Sequence, residues 1–213
     1  KLTATDIDVP ADISSAAFFL VGASIAENAD LTIRHVGMNP TRSGIINILR
    51  AMGADIEVLN ESLVGGEPVA DLRVRSAQLK GIRIPESQVP LAIDEFPVLF
   101  VAAACAQGET VLTGAEELRV KESDRIQVMA DGLQALGIDA TPTPDGMVIR
   151  PGAIGGGRVD SHGDHRIAMA FAIAALRASG EILIDDCANV NTSFPAFSDL
   201  VNSIGMQLDV TEN

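Results

Sequence analysis

Asp164-His165-Arg166-Ile167-Ala168-Met169-Ala170-Phe171-Ala172-Ile173-Ala174-Ala175-Leu176-Arg177-Ala178 is the stretch that decides the fold. An acidic residue opens it, and from Ile167 to Leu176 no polar stripe interrupts the apolar residues. That pattern predicts a capped helix buried on every side. The same signature stands at Asp12 to Ala26 and at Asp94 to Ala106. A short β-type run follows each: Asp30 to Arg34, Glu109 to Thr113 and Glu181 to Asp185. Next comes an amphipathic helix ending at Met52-Gly53, Leu136-Gly137 or Ile204-Gly205, where glycine supplies a left-handed cap before another strand. Asp12, Asp94 and Asp164 are spaced by 82 and 70 residues, and Gly53, Gly137 and Gly205 by 84 and 68.

Two markers with matching periods indicate an internal repeat. The expected fold class is α/β, with three βαβαββ units at about 1–78, 79–151 and 152–213 forming one pseudo-threefold domain. The all-apolar helices lie inside it and the amphipathic ones outside. Lys1 to Val9 alternates as an opening strand should, and Asp71 to Arg75 and Met147 to Arg150 read as further strands. Gly65-Gly66 and Gly155-Gly156-Gly157 are turn signals within units.

With 47% hydrophobic residues in a chain of 213, there is ample material for a core. Fifteen Lys and Arg against 29 Asp and Glu give a net charge of −14, with no Trp or Tyr to stack on bases, which excludes nucleic acid as a partner. The longest apolar run, Phe96 to Ala106, is shorter than the roughly 20 residues of a membrane helix, so a soluble, cytoplasmic protein is expected. Cys105 and Cys187 fit neither a disulfide framework nor a zinc spacing, which predicts reduced thiols and no metal.

Helix N-termini disfavour cations, yet Lys121 and Arg125 stand near one expected helix start and His165 and Arg166 near another. In an acidic chain this points to a small phosphate or carboxylate ligand, bound by free N–H groups and cations together. The competing reading pairs Lys121 and Arg125 with Glu122 and Asp124 on a solvated face. Asp12, Asp94 and Asp164 each suit an N-cap. Asp94 also sits between Ile93 and Glu95-Phe96-Pro97, an apolar setting that could perturb it as an acid or base. His35 and His162 read as structural or solvated, and Cys105 as core.

Five segments in order resemble the enolpyruvyl transferase family, and within it the 3-phosphoshikimate 1-carboxyvinyltransferases, or EPSP synthases. They are Asp12-Ile13-Ser14-Ser15-Ala16-Ala17-Phe18-Phe19, Asp94-Glu95-Phe96-Pro97, Leu118-Arg119-Val120-Lys121-Glu122-Ser123-Asp124-Arg125, Gly163-Asp164-His165-Arg166-Ile167-Ala168-Met169 and Thr192-Ser193-Phe194-Pro195. The resemblance implies an inside-out α/β barrel that forms one half of a two-domain enzyme. Motif order matches the C-terminal half, so the N-terminal domain is a missing partner and this half alone is expected to be inactive. The implied substrates are phosphoenolpyruvate and shikimate 3-phosphate, with no metal or organic cofactor.

By the same resemblance, Asp94 is the carboxylate that binds the shikimate hydroxyls and helps deprotonate the 5-hydroxyl. Glu122 exchanges a proton with the methylene carbon of phosphoenolpyruvate, and Lys121 assists at the substrate hydroxyl. Arg125 and Arg166 clamp the phosphoenolpyruvate carboxylate, and His165 accompanies them. Where many members carry Gly this chain carries Ala11, and where some carry Lys it carries Thr192, so no cation is transferred to position 192. A UDP-N-acetylglucosamine enolpyruvyl transferase half, or a noncatalytic ligand-binding or assembly domain, is the alternative.

Overall fold

In the computed structural model, Ala4 and residues 6–211 are described. In chain order the elements are α1 (Ile13–Ile25), β1 (Asp30–Gly37), α2 (Gly44–Ala51), β2 (Asp55–Val64), β3 (Glu67–Arg75), α3 (Phe96–Cys105), β4 (Thr110–Leu112), α4 (Arg125–Ala135), β5 (Asp139–Thr143), β6 (Gly146–Arg150), β7 (Gly157–Asp160), α5 (His165–Ala174), β8 (Ile182–Asp185), α6 (Val190–Ser193) and α7 (Phe197–Ser203). Short 3-10 turns occupy Glu86–Gln88, Glu116–Val120 and Ala175–Arg177.

The three apolar helices α1, α3 and α5 pack against one another at the centre. In α3 every residue from Phe96 to Ala104 is buried, and in α5 every residue from Ile167 to Ala174. Pro97 is tolerated because it stands in the first turn, where its missing N–H has no intrahelical acceptor to lose. The amphipathic helices cover this core with one face each. On α4, Ile126, Met129, Ala130 and Leu133 turn inward. Gly132 lets α4 approach α5 so closely that a Cβ there would lie 2.2 Å from Phe171 Cζ.

Two three-stranded antiparallel sheets, β1-β3-β2 and β4-β6-β5, and a two-stranded parallel sheet, β7-β8, flank the helices. Ahead of α1 and α3 the chain makes single parallel bridges, Ala11 to Val36, Lys80 to Gln107 and Arg83 to Val111. These and β7-β8 repeat one event three times: a segment, a buried helix, and a return parallel to the first segment. Gly53, Gly137 and Gly205 have φ of +91°, +88° and +100°, the left-handed stops expected from sequence. Bulges in β1 and β2 put His35 and Asn60 at positive φ, and Asp71 on the strand between them accepts from both, at 2.8 Å each. His35 thus joins the strand bulge through its backbone N–H, while its half-exposed ring pairs with Asp8 at 2.9 Å.

Three expectations are corrected. Asp6 to Val9 form no strand; Ala11 makes the bridge instead, while Lys1 to Thr3 and Thr5 lie outside the described residues. No strand follows Gly205 among the described residues, because the chain folds back on α7, with Leu208 N donating to Asn202 Oδ1 at 2.8 Å and Asn202 Nδ2 to Leu208 O at 2.9 Å. The third unit therefore shows two parallel strands rather than the larger sheet of the others. Asp94 is not an N-cap: Glu95 holds that position on α3, and its side chain makes no cap hydrogen bond.

Candidate active site

Asp12 and Asp164 do cap their helices, accepting from Ser15 N at 2.9 Å and Arg166 N at 3.0 Å. Asp94 is spent differently. Its Oδ1 lies 3.7 Å from Lys121 Nζ and accepts from Arg125 NH1 at 3.3 Å, while its Oδ2 lies 4.0 Å from Arg166 NH2. Arg166 NH1 also donates to the Asp94 backbone carbonyl at 3.3 Å. Five of the six residues singled out from sequence thus converge, since Glu122 Oε2 accepts from Arg125 NH2 at 2.6 Å. His165 is next to Arg166 as the first residue of α5.

Lys121 is not on a helix. It ends the 3-10 turn Glu116–Val120, and α4 begins only at Arg125, capped by Asp124, which accepts from Gln127 N at 3.0 Å. Its ammonium reaches back to Glu117, which raises its pKa. Burial lowers the His165 pKa, and Arg166 beside it lowers it further. His165 is accordingly less prone to carry charge than a free imidazole.

Arg125 anchors the cluster. It is 0% exposed, and its Nε donates to the equally buried Asp164 at 2.8 Å. Ser123 Oγ donates to the same Asp164 oxygen at 3.1 Å. Three carboxylates therefore share one guanidinium, those of Asp164, Glu122 and Asp94. Only the last two are accessible, at 49% and 38% of their side chains. For Arg125 to grip an external anion, Glu122 or Asp94 has to yield its place.

Burial pushes the Asp94 carboxyl up, and Arg166, Lys121 and Arg125 together outweigh that, so the net direction is down. The apolar neighbours do not make it a raised-pKa acid; the surrounding cations keep it an ionised acceptor. Glu95, the next residue, behaves oppositely. It is 5% exposed, and burial raises its pKa despite a hydrogen bond from Ser14 and the nearby Arg166. Arg42 NH2 donates to Ser14 Oγ at 2.8 Å and pairs with Asp12 Oδ1 at 3.2 Å. Sequence reasoning passed over Glu95, Ser14 and Arg42; the one available signal was a second acid beside Asp94 with no cation near it in sequence.

Two concavities, of about 730 and 510 Å³, lie at the other ends of the buried helices, around Ala26, Glu27, Asn28 and Arg177, and include none of the cluster. Among the described residues no group of three or more His, Cys, Asp or Glu side chains could hold a metal ion, and no helix is long and apolar enough to cross a membrane.

The profile of EPSP synthase (3-phosphoshikimate 1-carboxyvinyltransferase) matches residues 1–201. The chain belongs to the EPSP synthase family. A 3-phosphoshikimate 1-carboxyvinyltransferase from Methylococcus capsulatus is 71% identical over 211 residues, which cover 99% of this chain and 48% of that enzyme. Another from Alkalilimnicola ehrlichii is 71% identical over 209 residues, 98% of this chain and 47% of the relative. A solved EPSP synthase structure from Acinetobacter baumannii is 58% identical with a TM-score of 0.97, covering 100% of this chain and 50% of that one. This EPSP synthase family chain thus spans about half the length of its curated relatives and has the α/β fold of half a solved EPSP synthase.

Proposed function

We propose that the chain is the C-terminal, pseudo-threefold half of an enzyme that transfers the enolpyruvyl group of phosphoenolpyruvate to the 5-hydroxyl of shikimate 3-phosphate in the cytoplasm. The observation that carries this reading is Asp94, released from helix capping and ringed by Lys121, Arg125 and Arg166 while still 38% exposed. A capping carboxylate would be structural; one held among three cations at an open face suits a substrate bearing both hydroxyls and negative charge.

In this reading the 5-hydroxyl adds to C2 of phosphoenolpyruvate as C3 gains a proton, and the tetrahedral adduct then loses phosphate. Asp94 accepts the hydrogen bond of the attacking hydroxyl. Bound substrate anions draw Lys121 and Arg166 toward themselves, which removes the influences that keep Asp94 acidic and makes it a better base at the moment it is needed. Glu122 protonates C3 and later removes a proton there. Arg166, and Arg125 once Glu122 swings away, grip the carboxylate of phosphoenolpyruvate through their planar forks. His165 contributes as a mostly neutral polar neighbour.

The missing half would supply the opposing wall and the rest of the anion-binding groups, and its closure would exclude water. The chain alone is therefore proposed to be inactive. The test is phosphate release from the two substrates by the chain, by the full-length parent, and by the chain mixed with a separately expressed N-terminal half. The parent should turn over and the lone chain should not; a silent parent refutes the reading. In the parent, Asp94→Asn should lower kcat by about 10²–10⁴, the usual contribution of a general base, and a loss below tenfold would remove Asp94 from that role.

A further inference from the structure

Two buried acids at this face take no part in the proposed chemistry: Asp164, which caps α5 and pairs with Arg125, and Glu95, whose role is open. Glu95 stands at the N-terminus of α3, between α1 and α5. On the α1 side Ser14 Oγ donates to Glu95 Oε1, and the same hydroxyl accepts from Arg42 NH2 at 2.8 Å. Arg42 is in turn held by Asp12 Oδ1 at 3.2 Å. On the α5 side Arg166 NH1 lies 4.0 Å from the same Oε1. Ser14 is as buried as Glu95, so this carboxyl is fixed in direction rather than free to swing into solvent.

We infer that Glu95 is a positioning residue for enolpyruvyl transfer: braced by Ser14 and Arg42, its carboxyl holds the Arg166 guanidinium beside Asp94. The inference rests on the function proposed above. Among the described residues Arg166 has no side-chain partner closer than 4.0 Å. Its contacts are the Asp94 carbonyl at 3.3 Å and two carboxylates at 4.0 Å, Asp94 Oδ2 and Glu95 Oε1. An arginine so held is directed by nearby charge while its donors remain available to a ligand. Of the two carboxylates, Asp94 is proposed to engage the substrate, which leaves Glu95 to orient the guanidinium throughout the cycle.

The charged groups facing Glu95 are Arg166 from α5, Arg42 and Asp12 behind Ser14, and Asp94 adjoining it in the chain. Burial makes the carboxyl easier to protonate than an ordinary Glu, so its hold on Arg166 weakens at a higher pH than exposed carboxylates would suggest. A proton taken up there leaves the Ser14 bond possible but ends the attraction to Arg166.

The experiment uses the full-length parent with Glu95→Gln, which keeps an acceptor for Ser14 and removes the charge. The KM for phosphoenolpyruvate should rise about fivefold to tenfold with kcat within about threefold, the pattern of lost uniform binding. The rise in KM toward acidic pH expected of the wild type should be lost in the mutant. A merely structural carboxyl would lower stability and active fraction with KM and its pH profile unchanged, and that result overturns the inference. Should the Gln variant fail to fold, Ser14→Ala unbraces the carboxyl without removing it. A smaller rise in the same KM is then expected, and no change overturns the inference.

If the wild-type parent is inert with these substrates, the functional reading fails and a second readout judges Glu95. In the chain itself the Arg166 Nε–Hε resonance should move with pH in the wild type and cease to do so in Glu95→Gln. An Arg166 resonance indifferent to that substitution overturns the inference whatever the substrates are.

Discussion

Replacing Asp164 by alanine should be the most damaging single change at this face. Its Oδ2 lies 2.8 Å from Arg125 Nε with both side chains 0% exposed, a separation worth about 6 kcal/mol at an effective dielectric of about 20. Arg125 retains Glu122 at 2.6 Å and Asp94 at 3.3 Å, so the loss falls toward the lower part of the 3–5 kcal/mol range for a broken buried pair, about 3 kcal/mol. Loss of the α5 cap, through Arg166 N, adds about 1 kcal/mol. Urea unfolding of the chain should show a midpoint lowered by an amount equivalent to about 4 kcal/mol at constant slope. Asp164→Asn, which can still cap, should lose only the charge-dependent part. A double-mutant cycle with Arg125→Met should return a coupling of at least about 2 kcal/mol. A loss under about 1 kcal/mol for Asp164→Ala, or additivity within about 0.5 kcal/mol in the cycle, refutes the reasoning.

Gly132→Ala brings a Cβ to 2.2 Å from Phe171 Cζ. It should destabilise by about 1–3 kcal/mol from overpacking, partly offset by the roughly 1 kcal/mol that alanine gains over glycine in a helix, and a stabilised variant by calorimetry would show that α4 and α5 are not so closely seated. Cys105, partly buried at the C-terminal end of α3 with its thiol pushed up to about 11 by burial, should react with iodoacetamide at pH 8 far more slowly than the exposed Cys187; equal rates by mass spectrometry would contradict its placement. For Glu95 the folded pKa is raised above its ordinary 4.5, so the native state binds more protons than the unfolded one between those values and stability falls as pH rises through that window. Glu95→Gln should remove that fall, so its stability relative to wild type should increase from about pH 4.5 upward; parallel stability curves would show that the carboxyl is not buried.

The central helices were legible because burial on every side leaves a period-free apolar run that no other element produces at that length, as in Phe96 to Ala104. The glycine stops were legible because a positive φ has few other occupants. Strand partners were less so. Ala11 replaces the alternating Asp6 to Val9 as the bridging residue, and pairing depends on what the neighbouring strand offers rather than on local alternation. In the site, charge type and spacing marked Lys121, Arg125 and Arg166, and the family resemblance added Glu122, but neither showed who holds whom. Asp164 read as a cap, which it is, yet nothing local could show that the same carboxylate balances Arg125 across 39 positions of sequence.

That balance changes how the cations at the helix starts are to be understood. Read singly, Lys121, Arg125 and Arg166 suggest a surplus of positive charge awaiting an anion. In the fold, Glu117, Glu122, Asp94, Asp164 and Glu95 already face them, so the isolated face carries more carboxylates than cations. An anion bound here as proposed would therefore enter by exchange: it would take a cation from a carboxylate that can move into water, and only Glu122 and Asp94 among the partners of Arg125 are exposed enough to do so. Those two carboxylates are the ones to which the proposed function gives proton transfer. In that proposal, anion binding would also draw from Asp94 the cations that hold its carboxyl low, which would tie the base to the presence of substrate and leave the buried pair, Asp164 with Arg125, to keep the frame from following.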